Sequence, residues 1–443
     1  MGRTVISEVS VRSRLTSFGT LGYEVGLILG QSLEKEDYLV HLARTPPPRT
    51  RNVVEETLIS CSDDTDENNL KKCFKSIRDI PESWLADHAN DVTRMLPGGM
   101  RILGIFLAGP EDTLDNNVNV HKFRSILLTI QRNFLSNKYL HGNNQHNFIL
   151  TYNSITQRYV CKLVDDIKNG ILKPIDIKFR AQSIPWLELE TAVNLDRMFC
   201  IATNKEPESL KEQLQEILED VSNMIDSALV MIAGKIRSSD DAIETIIAND
   251  NKNQLEVDLY IPCEKSASTD AKVKPSSESI WLIGQLVSKI FVTGKTNIEE
   301  ATAAIKQDIV RSLASRLEMH VDSLIEEEDG SPEENITLHE PPRRILIHLH
   351  KSRVTLSSYL FPGEEPQEAL VYLQELLDVD VEDLDIQKEI ECHAEAVDTC
   401  QCGPPTIPVN TEKIENHLTT LHIIGLSITV FIIVAAIVFH HMY

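Results

Sequence analysis

Two periodicities alternate along this chain, one of about two residues and one of about 3.6, and they predict its elements. "EVGLILGQ" and "MRILGIFLAGP" are continuous apolar runs, the pattern of strands buried on both faces. "DYLVHLARTPP" instead places Tyr38, Val40 and Leu42 on one side and stops at prolines. Between them, "PESWLADHANDVTRMLPGG" carries Leu85, Ala89, Val92 and Leu96 on one helical face, and Pro97-Gly98-Gly99 ends it. Strand, strand, helix, strand reads as a packed α/β unit. "HNFILTYN", "RYVCKLV" and "MFCIATN" predict further strands, and "SLKEQLQEILEDVSNMIDSALVMIA" predicts one long amphipathic helix.

The second half repeats the alternation. "NQLEVDLYIP" is strand-like. "ATAAIKQDIVRSLASRLEMHVDSLIEE" is helical, with Ile305, Ile309, Leu313, Leu317, Val321 and Leu324 on one face. "RRILIHLH" and "VTLSSYLF" predict a hairpin, and "PQEALVYLQELLD" a closing helix. Polar stretches punctuate these elements. "CSDDTDENNLKK", "PCEKSASTDAKVKPSSES" and "EEEDGSPEEN" read as loops, and the Gly/Pro cluster of "CHAEAVDTCQCGPPTIPVNTEK" reads as an extended tether. The expected class is α/β (α+β). Two α/β domains are placed at residues 1-205 and 206-390, then a juxtamembrane linker at 391-417 and a transmembrane anchor at 418-439.

The anchor rests on length. From Leu418 through Ile423, Gly425, Phe431 and Ile437 to Phe439 there is no Asp, Glu, Lys or Arg. As a helix this run measures roughly 33 Å, against a hydrocarbon core of about 30 Å. The N-terminal "MGRTVISEVSVRSR" has scattered charges and no apolar core, so it does not read as a signal peptide. Four residues follow Phe439, so insertion after synthesis is expected, as a tail anchor with the body in the cytosol. The span's moderate length favours the endoplasmic reticulum membrane. On that topology the sequon Asn335-Ile336-Thr337 is a chance match. Ser427 and Thr429, with Gly425, are the groups within the span that could support contacts to client helices.

Charge narrows the partners. The 443 residues carry a formal net charge of -24, which argues against nucleic acid or an anionic lipid surface as the main partner. The 8 cysteines are expected as free thiols in a cytosolic body. Three small motifs invite a chemical reading. Gly294-Lys295-Thr296 ends like a phosphate loop, but Lys289 stands where the loop's first glycine is needed. His348 and His350 are two apart on an expected strand and could begin a zinc site, yet no carboxylate follows: Ser357 is succeeded three residues later by Leu360. Cys392, His393, Cys400 and Cys402 have unequal gaps and lie in the expected tether, where metal binding or lipidation are the alternatives. No cofactor and no metal is expected.

In order, "GLILGQ", "DYLVHLARTPP", "WLADHANDVTRMLPGG", "MRILGIFLAG", "RLEMHVDSLI" and the terminal span resemble the odorant-response-abnormal protein four (odr-four-like) family. "RMLPGG" and "RTPP" are the most specific parts. The resemblance implies a membrane-anchored accessory factor that helps polytopic receptors, notably odorant receptors of the G-protein-coupled class, leave the endoplasmic reticulum toward cilia. It also implies a partner that holds the protease of the ubiquitin-fold modifier at that membrane. The first unit further resembles the MPN (JAB1-type) fold of metal-dependent deubiquitinases. That resemblance places Glu24 at the catalytic carboxylate, and Leu107 and Gly109, before Pro110, where two zinc-binding histidines belong. No Ser-x-x-Asp follows; Asp112 and Asp115 are present without the serine. The implied unit is catalytically silent and the protein is expected not to be an enzyme. The rivals are an active isopeptidase using an unrecognised cysteine or zinc site, and a vesicle-trafficking tether.

Overall fold

The computed structural model describes residues 3–18, 21–47, 58–60, 72–114, 116–141, 147–166, 171–202, 210–247, 253–262, 276–327, 338–339, 341–349, 352–379, 386–387 and 390–391. All belong to the first of two compact units, Met1–Ala394. The first stretch runs β1 (Thr4–Glu8), α1 (Val9–Thr16), β2 (Glu24–Ser32), β3 (Glu36–Arg44), β4 (Leu58–Ser60), β5 (Lys72–Phe74), α2 (Glu82–Met95) and β6 (Arg101–Gly109). It continues through α3 (Asn117–Ser136), α4 (Lys138–His141), β7 (Asn147–Asn153), β8 (Arg158–Asp166), β9 (Ile171–Pro174) and β10 (Asp176–Arg180). Then follow β11 (Trp186–Ala202), α5 (Leu210–Ser227), β12 (Leu229–Ile232), α6 (Glu244–Ile247), β13 (Gln254–Tyr260) and β14 (Ser276–Thr293). Last come α7 (Ile298–Glu327), β15 (Leu338–His339), β16 (Arg343–His348), β17 (Thr355–Leu360), α8 (Pro366–Leu377) and β18 (Ile386–Gln387).

The first sheet has the order β10-β1-β3-β2-β6-β7-β8-β9. Its two edge strands adjoin in sequence with Ile175 between them, so one bent ribbon pairs with β8 through its first half and with β1 through its second. The sheet therefore curls. Inside the curl Val11, Leu15 and Phe18 meet Ile28, Leu42, Phe106 and Phe148. Outside, α2, α3 and α8 bury Leu85, Val92, Ile126 and Leu373 with Leu27, Ile105 and Ile149. Strands covered on both sides must be apolar throughout, which is why "EVGLILG" and "RILGIFLAG" lack alternation.

The second sheet has the order β12-β13-β11-β14-β15. α5 and α7 cover one face, joining Leu218, Val221, Ile305, Ile309 and Leu313 to Leu189, Leu286 and Ile290. The third sheet, β17-β16-β18, contributes Ile345, Ile347 and Leu356 to the core of the first. α7 is buried on every side from Asp308 to Leu317, polar residues included.

β2, β3, β6, β7, β8, β13, α2, α7, the β16–β17 hairpin and α8 stand where the periodicity put them, while α1, α3, β14 and the first half of β11 are elements it did not mark. Three expectations are corrected. The amphipathic run after residue 208 is two elements, because α5 ends at Ser227 and Leu229–Ile232 pairs antiparallel with β13; its β-branched Val230 and Ile232 suit a strand as well as a helix. The polar stretch before Ile280 enters β14 at Ser276, held by pairing with β11. Cys73 is disulfide-bonded rather than a free thiol. The expected boundary near residue 205 falls between β11, a strand of the second sheet, and α5. Glu391, placed at the start of the linker, is buried. Among the described residues no helix is long and apolar enough to cross a membrane. The span from Leu418 through Ile423, Gly425, Phe431 and Ile437 to Phe439 lies outside them, as do Cys392, His393, Cys400 and Cys402.

Candidate functional site

Residues 96–99, the last four of "RMLPGG", leave the end of α2 and wedge between β14 and α7. A Cβ on Gly98 would stand 2.6 Å from Ala304 O and 2.7 Å from Asp308 Cβ, and closer still to Ile290 Cγ2. Gly99 adopts φ +81, which a side chain disfavours. Arg311 of α7 reaches back, its guanidinium donating to Leu96 O at 3.2 Å and to Leu140 O at 2.8 Å. Gln31 of β2 completes the seam: its Nε2 donates to Phe291 O at 3.3 Å and its Oε1 accepts from Thr293 N at 3.1 Å. That side-chain amide does for β14 what a neighbouring strand would do.

The "RTPP" motif works beside the C-terminus of α8. Thr45 Oγ1 lies 3.0 Å from His88 Nδ1. His88 Nε2 is 2.7 Å from Leu376 O, and His41 Nε2 is 2.9 Å from Leu377 O. Arg14 Nη2 donates to Asp378 O at 2.5 Å and pairs with Asp378 Oδ2 at 3.0 Å. These donors satisfy the carbonyls that a helix end leaves open. Burial lowers the His41 ring to about 3 and His88 to about 4, so both are neutral donors at neutral pH. A cleft of about 300 Å³ opens here between Arg14, His41, Trp186 and Ser352.

The positions carried over from the hydrolases lie next to one another, because β2 and β6 pair antiparallel with Glu24 opposite Ala108. Glu24 is buried and Arg44 Nη1 stands 3.6 Å from its Oε2; Arg44 Nε also lies 3.5 Å from Asp378 Oδ2. Leu107 is a core residue. Gly109 faces the Tyr23 ring, 2.7 Å from where its Cβ would be to Tyr23 Cε1. Pro110 follows the end of β6. Tyr23 donates to Glu111 Oε2 at 3.2 Å, and burial together with that carboxylate raises its phenol to about 12. Asp112 Oδ1 accepts from Asn153 Nδ2 at 2.9 Å, and Asp115 is outside the described residues.

The other candidates are also engaged. Lys295, in the strand–loop–helix turn between β14 and α7, pairs with Glu36 Oε2 at 2.8 Å. Lys289 pairs with Glu188 at 2.7 Å. His348 Nε2 lies 3.1 Å from Gln387 Nε2, and His350 is outside the described residues. Cys161 is a buried thiol raised to about 12 by burial. Among the described residues no group of three or more His, Cys, Asp or Glu could hold a metal ion.

One constellation was not read from the sequence. Arg344 on β16 makes a two-pronged pair with Asp308 on α7 at 2.7 and 3.0 Å, both residues 1% exposed. Ser357 and Ser288 complete it. Beside it Glu391 accepts from Arg316 at 2.6 Å, Val287 N at 2.8 Å and Arg344 N at 2.7 Å. Its signal was present: Asp308, Arg311 and Arg316 interrupt an apolar helix that has no free face for them.

Fold and sites together define a mixed α/β scaffold in which the motif residues hold sheets, helices and seam in place. The family described as Odorant response abnormal 4-like matches residues 26–388, and the chain belongs to that family. A mouse relative, "Protein odr-4 homolog", is 26% identical over 410 residues, covering 88% of this chain and 87% of the relative. The human protein of that name is 24% identical across 100% of this chain and 99% of its own. The Caenorhabditis elegans "Odorant response abnormal protein 4" is 20% identical, covering 71% of this chain and 66% of its own. The crystal structure of UfSP from C. elegans overlays with a TM-score of 0.40 and 9% identity, covering 85% of this chain and 57% of that one. An overlay that loose carries no argument about function.

Proposed function

We propose that this protein is a non-enzymatic, tail-anchored adaptor of the endoplasmic reticulum. Its cytosolic body recruits the ubiquitin-fold-modifier protease, and its anchor brings that protease beside polytopic receptors on their way to cilia. In this reading the first sheet is a catalytically silent MPN-like unit. The observation that supports it is the pairing of Glu24 with Arg44 next to Leu107 and Gly109, where a hydrolase would need a free carboxylate and two imidazoles. Anchoring raises the local concentration of a bound partner to roughly millimolar at the membrane.

Cell fractionation with full-length protein and with a chain truncated after residue 417 tests the reading. The modifier protease is expected in the membrane fraction with the first and in the soluble fraction with the second. Unchanged membrane recovery without the anchor defeats the adaptor reading. Stoichiometric zinc in the purified protein, or turnover of a modifier-linked substrate by it alone, makes it an isopeptidase instead.

A further inference from the structure

The cleft beside the end of α8 is walled by described residues of α1, β3, the start of β11, the β16–β17 turn and the exit from α8. Val11, Leu39, Ile184, Trp186, Leu349 and Val379 supply its apolar lining, and all six are buried. Two polar side chains of the wall meet at one atom. His41 Nε2 donates to Leu377 O at 2.9 Å, and Arg14 Nη2 lies 3.4 Å from the same oxygen. A carbonyl can only accept, so the His41 ring carries its proton on Nε2. Nδ1 is then a bare acceptor on a residue that is 9% exposed, and among the described residues nothing donates to it. Arg14 is its complement. Nε donates to Leu42 O at 2.8 Å and Nη2 is spent on Asp378, while Nη1 has no acceptor among the described residues. Neither atom is sealed in the way that both ring nitrogens of His141 are, and both residues border the cleft.

Charge selects against an anion here. Asp378 Oδ2 faces Arg14 at 3.0 Å and Arg44 at 3.5 Å, and Arg44 also faces Glu24 at 3.6 Å. Glu8, in the wall, accepts from Ile184 N at 2.9 Å. Two guanidiniums thus stand among three carboxylates. Arg353 borders a different cleft, next to Glu188 and Glu256. His350 and Lys351 of the turn lie outside the described residues, and the carboxylate probe below reads any cation they bring.

We infer that this cleft binds a small planar carboxamide, whose N–H donates to His41 Nδ1, whose oxygen accepts from Arg14 Nη1 and whose ring lies among Trp186 and the aliphatic wall. A volume of about 300 Å³ sits at the lower bound for ligand pockets and matches one ring with its amide. A carboxylate presents only lone pairs to Nδ1 and meets Glu8. An amine offers Arg14 no acceptor. The inference goes beyond the adaptor reading and uses neither the anchor nor a protein partner, so either can fail while the other stands.

Ligand-observed NMR titration of the full chain in non-ionic detergent tests it, with benzamide as the probe at up to about 10 mM. Benzamide is expected to bind at about 0.1–3 mM, the strength open to so small a ligand. N,N-dimethylbenzamide keeps the oxygen and lacks the N–H; benzoate lacks the N–H and adds charge. Each is expected to bind at least about fivefold more weakly. His41→Phe removes the acceptor and erases the preference for benzamide over its dimethyl form. Because that change also loosens the hold on α8, Ser10→Trp is measured beside it. Ser10 borders the cleft, is exposed and takes no part in holding α8, so its substitution should block benzamide at an unchanged urea midpoint. The inference is overturned if benzamide shows no saturable binding, if its dimethyl form binds as tightly, or if Ser10→Trp leaves the affinity unchanged. Equal binding of benzoate also overturns it and makes the cleft an anion site.

Discussion

At the residue scale, the two most distinctive motifs are explained by space and unsatisfied carbonyls. Gly98 has no room for a Cβ between Ile290, Ala304 and Asp308, so Gly98→Ala is expected to lower stability by about 1–3 kcal/mol, read as a fall in urea midpoint at constant slope. The buried histidines set a pH dependence. His41, His88 and His141 are all lowered, to about 3, about 4 and about 3, chiefly by burial. Released on unfolding, each returns to an ordinary value near 6.5. Their contribution is complete above that pH and is lost as pH falls through 6 and 5 toward 4, because only the unfolded chain takes up the protons. The loss amounts to up to ~1.4 kcal/mol per histidine per pH unit. Wild-type midpoints measured from pH 7 to 5 should fall more steeply than those of His41→Gln/His88→Gln, and parallel slopes would refute the assignment.

At the element scale, α7 shows how charge is tolerated inside a core. Its Asp308 meets Arg344 of β16 in a fully desolvated pair. Arg344→Met alone strands Asp308 and is expected to cost about 3–5 kcal/mol, whereas Arg344→Met with Asp308→Leu should recover most of it. Paired denaturation curves measure the difference, and equal losses would mean that the arginine acts through packing alone. Glu391 supplies a carboxylate where β14 and β16 would otherwise need a strand. Glu391→Gln keeps its shape but loses the charge facing Arg316, for about 1–3 kcal/mol. Faster exchange at the Val287 and Arg344 amides, relative to Ile290, would locate that loss. The helical reading of Leu229–Ile232 failed at this scale because a β-branched run satisfies either period until a neighbouring strand selects one.

At the scale of the whole molecule, the seam between the first two sheets is built from side chains and one loop: Gln31, Gly98 and Arg311. None of these belongs to an apolar stripe, so a periodicity analysis passes over them. The adaptor reading predicts a body that purifies without stoichiometric zinc and without hydrolytic turnover. Elemental analysis of the full chain checks the first expectation, and incubation with a modifier-linked substrate checks the second.

The α/β class, the core face of α2 and α7 and the β16–β17 hairpin were legible in the sequence, because each is a local match between period and burial, whereas α1, α3, β14 and the first half of β11 were not read from it. The curl of the first sheet, the pairing of β11 with a strand some ninety residues away and the meeting of Asp308 with Arg344 were decided only by tertiary structure. Period tells a residue which side to bury. It does not say which distant backbone, carbonyl or countercharge waits on that side, and those partners settle whether a motif such as "RTPP" or "RMLPGG" is chemistry or joinery.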